Sequence, residues 1–239
     1  KIFITFGEHE LADNIVHLVL ARTPDAPAGT RGISLFLVPK YRLDDAGRPG
    51  DTNDVRCVSI EHKLGIHASP TCVLSFGDND DCIGTLIGPE QGGMAAMFVM
   101  MNNARLSVGL QGVQIGERAT QQAVAYARER IAFGRPIAEH QAVAFQLADM
   151  ATQIDAARLM VLRAAMLREA GKPCLTEASM AKLFASEMAE KVCSAAIQIH
   201  GGYGYLSDYP VERIYRDQRV TQIYEGTSEV QRMVIARGL

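Results

Sequence analysis

The chain has 239 residues and 48% hydrophobic content, enough for one large core or two smaller ones. Arg and Glu interrupt every long apolar stretch before it reaches the roughly 18 residues of a bilayer span, so the sequence excludes a membrane-crossing helix. A formal charge of -3 with scattered Lys and Arg excludes an extended nucleic-acid surface, and the five cysteines, odd in number and without metal-ligand spacing, point to free thiols in a reducing compartment with no disulfide and no metal.

Lys1 opens directly into KIFIT, a strand-like run with no initiator Met or signal peptide, which reads as an incomplete chain. Residues 1–89 form a β region. Its short apolar runs are KIFIT, NIVHLVLA, GISLFLV, CVSIEH and TCVLSF, with breaks at Asp25-Ala26-Pro27 and Arg48-Pro49-Gly50. After Gly92-Gly93 the apolar spacing becomes helical, so residues 90–239 form a second, helical domain.

The first long helix is expected from Met94 to Arg130, bent near Gly109, Gly112 and Gly116, with Pro136 ending any continuation. From Glu139 to Ala170, Val143, Leu147, Met150, Ile154, Ala157, Val161 and Ala165 recur every three or four residues as one buried stripe. A third helix is expected after Thr176, read as its N-cap, and runs to Gly201-Gly202. Shorter helices follow at Val211–Gln218 and Ser228–Arg237, and the short connections predict an antiparallel bundle.

Three local features carry chemistry. In Arg130-Ile131-Ala132-Phe133-Gly134, with Gln141 close behind, a helix-end arginine beside an aromatic ring can hold a phosphate; the plain alternative is dipole compensation, with Phe133 in the core. In Gln198-Ile199-His200-Gly201-Gly202-Tyr203-Gly204-Tyr205, clustered glycines let backbone approach a ligand, although helix capping explains one of them and His200 reads equally as a packed side chain. In Tyr224-Glu225-Gly226-Thr227-Ser228-Glu229, a carboxylate precedes a helix start that Thr227 or Ser228 can cap and whose free N–H groups attract an anion; Glu225 projects into a cleft or, on the plain reading, into solvent.

These three stretches, RIAFGRPI, QIHGGYGY and YEGT, together resemble the C-terminal bundle of the acyl-CoA dehydrogenase family in both order and separation. ADMA at 148–151, MAK at 180–182 and YPVERIYRD at 209–217 extend the likeness, and KLGIHASPT at 63–71 is similar to a strand of the family's middle β domain. The opening FIT resembles a flavin-contacting W-I-T segment, with Phe3 in place of Trp. MNNARLSVG and the insertion before KLGIHASPT are similar to the branch that holds methylthiopropanoyl-CoA dehydrogenases.

The implied fold is α+β and mainly α: part of a middle β-barrel domain over 1–89, then a four-helix-type antiparallel bundle over 90–239, with no counterpart of the family's N-terminal helical domain. The implied activity is FAD-dependent α,β-dehydrogenation of an acyl-CoA thioester to the trans-2-enoyl-CoA, in fatty acid metabolism, with this fragment inactive by itself. By the resemblance Glu225 is the catalytic base; the alternative base position of some members is Ala104, which cannot take a proton.

FAD contacts implied by the family fall on Phe3, Thr5, Arg130, Phe133, Gln141, Gln198, Gly201, Gly202, Thr227 and Glu229, several of them reaching the flavin of a neighbouring subunit. Substrate contacts fall on Arg105, Tyr224, Gly226 and Arg237. The resemblance further implies a homodimer or homotetramer, electron-transferring flavoprotein as partner, and a bacterial cytoplasmic or mitochondrial matrix location. Two other readings are a truncated, non-catalytic oligomerisation module and a flavin monooxygenase on the same scaffold; the latter would not need the Glu225 carboxylate.

Overall fold

Side-chain alternation organises the strands. After β1 (Ile4–Thr5), β2 (Val16–Arg22) buries His17 and Val19 while Val16 and Leu18 face outward. It pairs antiparallel along its whole length with β3 (Ile33–Pro39). β4 (Tyr41–Leu43) and β5 (Pro49–Thr52) form a separate hairpin, and β6 (Val55–Ile60) pairs with β7 (Thr71–Phe76). β8 (Thr85–Ile87) completes a sheet of order β2-β3-β8, and β1 completes another of order β1-β7-β6.

The structure, a computed structural model, describes all residues from Lys1 to Leu239. Contacts group Lys1–Met100 into one unit and Met101–Leu239 into another. Within the first unit, the buried side chain of Asn53 donates to Pro39 O (2.9 Å) and Ile83 O (2.8 Å) and accepts from Ile83 N–H (2.9 Å), tying three strand ends together. The segment Arg48-Pro49-Gly50, expected as a break, instead starts β5. The Asp44 carboxylate accepts the N–H groups of Ala46 and Arg48 and closes the preceding turn, and a proline is tolerated at the first residue of an edge strand.

Helix outweighs strand, 52% against 18%, as the α+β, mainly α expectation requires. α1 (Gly93–Glu129) is unbroken. Its glycines do not interrupt it but admit neighbours: a Cβ at Gly112 would lie 2.8 Å from Ala185 O, and one at Gly109 3.2 Å from a Val161 methyl. A two-residue hairpin of β9 (Ile131–Ala132) and β10 (Arg135–Pro136) leads to α2 (Gln141–Glu169). The expected stripe is buried at Met150, Ile154, Ala157 and Val161, with Ala164 rather than Ala165 continuing it.

α3 (Leu175–His200) starts earlier than expected: Ala178 N–H bonds Cys174 O (2.9 Å), so Cys174 is the N-cap and Thr176 lies inside the first turn. α4 (Val211–Gln218) and α5 (Ser228–Arg237) complete the unit, both packed on α3. Gly112 meets Ala185 and Gly116 meets Met188, so α1 and α3 run the same way, while the Glu117–Arg158 ion pair sets α2 against α1. The core between them is mostly small: Ala119, Ala123, Ala127, Ala157, Ala181, Ala185 and Ala196 with Val113, Met150, Ile154, Met188 and Val192. Small side chains bring helix axes close and leave little freedom for sliding. No helix is long and apolar enough to cross a membrane, and all five cysteines are unpaired thiols.

Candidate active site

The segment between α4 and α5 turns through two residues in left-handed conformation, Glu225 (φ 55°) and Gly226 (φ 91°). Thr227 then caps α5, its Oγ1 accepting from Val230 N–H at 3.4 Å; of the two capping candidates the structure uses Thr227. A positive φ is free for Gly226 but costs a residue with a Cβ about 1–2 kcal/mol, so surrounding contacts must hold Glu225 in place.

Those contacts come from three helices. From α3, Lys182 Nζ donates to Gly226 O at 2.8 Å. From α5, Gln231 Nε2 donates to the same oxygen at 2.8 Å and to Glu225 O at 3.3 Å. From α1, the Gln111 side-chain oxygen accepts the Tyr224 hydroxyl. Lys182 and Gln231 are each 0% exposed, whereas Glu225 is half-buried. The half-buried carboxylate thus belongs to a turn bonded by two fully buried side chains.

Arg105 of α1 lies in the same neighbourhood, 2% exposed, with its Nη1 donating to Asn102 Oδ1 at 3.0 Å. Burial lowers its pKa from the ordinary arginine value and the charge of Glu225 opposes that. Burial also pulls the Lys182 ammonium down to about 8; the positive charge of Arg105 adds to the fall, and Glu225 and Glu229 act against it. Two buried cations therefore flank one half-buried carboxylate. Burial raises the Tyr224 hydroxyl above its usual value. Glu229 is exposed, and a hydrogen bond with Thr227 holds its carboxyl below the usual range. Arg237 is exposed in the last turn of α5.

A second region lies where α1 and α3 end. Arg130, Gly201 and Gly202 line a cleft of about 550 Å3 together with Tyr126, His200 and Tyr203. The Arg130 guanidinium sits 5.7 Å from the Tyr203 ring centroid. A Cβ at Gly201 or Gly202 would meet nothing within 4 Å, so both present open backbone. His200 is 3% exposed, stacked on Tyr126 at 4.3 Å, and its Nδ1 bonds Ala196 O at 2.8 Å; of its two readings the packed one holds.

The β9–β10 hairpin turns on Phe133 (φ 51°) and Gly134 (φ 79°), both left-handed as a type I′ turn demands. Phe133 is 97% exposed at its tip, so the core alternative for this ring is overturned; the two-residue turn projects it away from the bundle. Gln141 opens α2 and Gln198 sits on α3, both exposed and neither on the cleft wall. In the first unit Phe3 is 69% exposed with φ 57°, and Thr5 pairs with Thr71 in β1.

The structure therefore gathers Glu225, Tyr224, Gly226 and Arg105 around one loop, and Arg130, Gly201 and Gly202 around another cleft. Lys182, Gln111 and Gln231 bond this loop and were not among the site residues named from sequence, although Lys182 closes the MAK run at 180–182. A signal for Lys182 was present: it interrupts the alanine stripe Ala178, Ala181, Ala185, Ala189 on the buried face of α3, where a lysine needs a partner.

A helical bundle whose last loop aims a supported carboxylate belongs to a defined family. The acyl-CoA dehydrogenase C-terminal domain matches residues 91–239, and the chain is a member of that family. It is 44% identical over 252 residues to 3-methylmercaptopropionyl-CoA dehydrogenase of Ruegeria pomeroyi, covering 97% of this chain and 42% of that protein. Butyryl-CoA dehydrogenase from Megasphaera elsdenii superposes with a TM-score of 0.86 at 39% identity, over 100% of this chain and 58% of that one. A chain in the structure of the electron transferring flavoprotein of Acidaminococcus fermentans superposes equally, TM-score 0.86 at 42% identity, over 100% and 59%. The chain thus spans about half the length of the relatives it matches.

Proposed function

We propose that this chain supplies the base side of an acyl-CoA dehydrogenase active site, with Glu225 removing the α-proton of an acyl-CoA thioester on the way to the trans-2-enoyl-CoA. The observation that carries this reading is the loop itself. Glu225 adopts a left-handed backbone, held from α1, α3 and α5, which projects a half-buried carboxylate from an immobile mount. Other non-glycine residues of the chain, Phe3 and Phe133 among them, also have positive φ; the turn at Glu225 is set apart by its bonds from two fully buried side chains, Lys182 and Gln231. Ala104, at the alternative base position, offers no competing proton acceptor.

The acyl-CoA dehydrogenase family is flavin-dependent. The second cleft supports FAD as the cofactor here: a guanidinium and two glycines with open backbone are a donor set suited to a pyrophosphate. Bound there, a flavin would supply the hydride acceptor for the β-hydrogen. Arg130, Gly201 and Gly202 would hold its phosphates, and Phe133, 97% exposed, would pack on the nucleotide of a neighbouring subunit in the dimer or tetramer we propose. Thr227, Glu229, Gln141, Gln198, Phe3 and Thr5 remain proposed flavin contacts, and Arg237 a proposed substrate contact. Electron-transferring flavoprotein is the acceptor we propose, supported by the likeness to a chain in such a structure.

On this reading Glu225 holds the proton on its carboxylate while Arg105 and Lys182 offset negative charge near it. The test is Glu225→Gln in the flavin-loaded protein containing this chain. The expected outcome is a loss of acyl-CoA-dependent flavin bleaching of at least about 1000-fold with flavin content unchanged. Bleaching within a few fold of the parent would remove Glu225 from the base role.

A further inference from the structure

Most lysines keep their ammonium in water, and a buried one in an alanine-lined helix seam is retained at a cost in stability. Lys182 is 0% exposed between Ala181 and Ala185, and the groups facing its charge are Arg105 from α1, Glu225 from the loop and Glu229 from α5. Only one acceptor is within reach in the seam, the carbonyl oxygen of Gly226, at 2.8 Å.

We propose that Lys182 is a positioning residue for the catalytic loop: its ammonium, through the Gly226 carbonyl, holds the left-handed turn that aims the Glu225 carboxylate. This rests on the reading of Glu225 as the base. Gly226 O accepts from Lys182 and from Gln231 at 2.8 Å each, so the Gly226–Thr227 peptide plane is clamped from two helices, while the preceding plane is held by Gln231 through Glu225 O at 3.3 Å. Gln231 alone shares one amide between Gly226 O and Glu225 O and holds the turn from α5 only, which lets Glu225 relax toward a negative φ and swings its carboxylate away. The charge matters as well as the contact. A protonated lysine gives a charge-assisted hydrogen bond, roughly twice as strong as a neutral one. With its pKa near 8, Lys182 loses that advantage in mildly alkaline solution.

A merely structural lysine and a positioning lysine make opposite forecasts for Lys182→Met. The methionine fills the same seam without a buried charge, Gly226 O keeps its bond from Gln231, and Arg105 still compensates Glu225. Stability should therefore hold or rise. Turnover should fall, because a displaced base loses near-attack geometry at a cost of about 10–100-fold in kcat, with KM for acyl-CoA moving less than about threefold.

The experiment compares parent, Lys182→Met and Lys182→Gln in the flavin-loaded protein containing this chain, with Glu225→Gln alongside. We expect kcat to fall at unchanged flavin content with the Lys182→Met unfolding midpoint at or above the parent's, and an alkaline limb near pH 8 in the parent kcat profile to be missing from both Lys182 variants. Lys182→Gln, which keeps an N–H donor, should retain more activity than Lys182→Met. In the 239-residue chain itself, amide exchange over 223–230 should quicken at least about tenfold in Lys182→Met while α2 is unchanged. If Lys182→Met does not fold, Lys182→Gln and the parent pH profile decide. A kcat loss that merely tracks lost stability, a parent profile flat from pH 7 to 9, or unchanged exchange in the loop would each overturn the assignment. Glu225→Gln separates the two readings: if it retains turnover, the base assignment fails; if it is inactive while the Lys182 variants behave as the parent, only the role of Lys182 falls.

Discussion

Adding one methyl group at Gly226 tests how the loop is held. Gly226 sits at φ 91°, where an alanine pays about 1–2 kcal/mol in backbone strain. Its new Cβ would also lie 2.8 Å from Gln231 Nε2 and 3.3 Å from a Val230 methyl. The Gln231 amide is fully buried and already committed to two carbonyls, so it must give up at least one hydrogen bond, about 0.5–1.5 kcal/mol. Gly226→Ala should therefore lower stability by about 2–3 kcal/mol. Gly171→Ala, just past the end of α2, is the matched control: its φ is also positive, 66°, but its Cβ would meet nothing within 4 Å, so only the backbone cost applies, about 1–2 kcal/mol. Urea unfolding followed by helical circular dichroism measures both. Equal losses for the two variants would refute the claim that Gln231 clamps this loop.

Two further outcomes follow from the bundle. Gly112→Val places side-chain atoms against the Ala185 carbonyl, 2.8 Å from the position of a Cβ, so α1 and α3 must separate; the loss should be about 3 kcal/mol or more in the same unfolding assay, despite a better helix former at that position. Stability should also depend on pH around Lys182. Its folded-state pKa, about 8, lies below the ordinary value of 10.5, so between those values the unfolded chain binds more protons and stability rises with pH. Above pH 9 the Cys193 thiol opposes this: burial raises it to about 12, so the unfolded chain ionises first and stability falls. The clean window is pH 8 to 9, where unfolding free energy should increase in the parent and less so in Lys182→Met. A parent curve that declines across that window would contradict the buried-ammonium account.

Much of this was legible in the residues. Period-3.6 stripes placed α1, α2 and α3 within a few positions, because alanine and β-branched core faces have no other reading over such lengths. Helix starts were harder: Thr176 looked like a cap, yet the Cys174 carbonyl already accepts the first helical bond. The β9–β10 hairpin was hidden because its turn uses Phe133 where an Asn or Gly would have advertised left-handed backbone. At the site, the carboxylate and its glycine were visible as a motif, whereas Lys182, Gln111 and Gln231 act across 113 positions of sequence at most and reveal themselves only when three helices meet. Long-range partners of this kind leave no local spacing to read.

The backbone conformation of Glu225 carries an evolutionary consequence. A laboratory selection that rewards heat tolerance alone should drift toward glycine or asparagine at this position, since either relaxes the turn that glutamate strains. With Glu225 in the proposed base role, thermal hardening and turnover pull on one codon in opposite directions, and a library at this position needs screening on acyl thioester as well as on temperature.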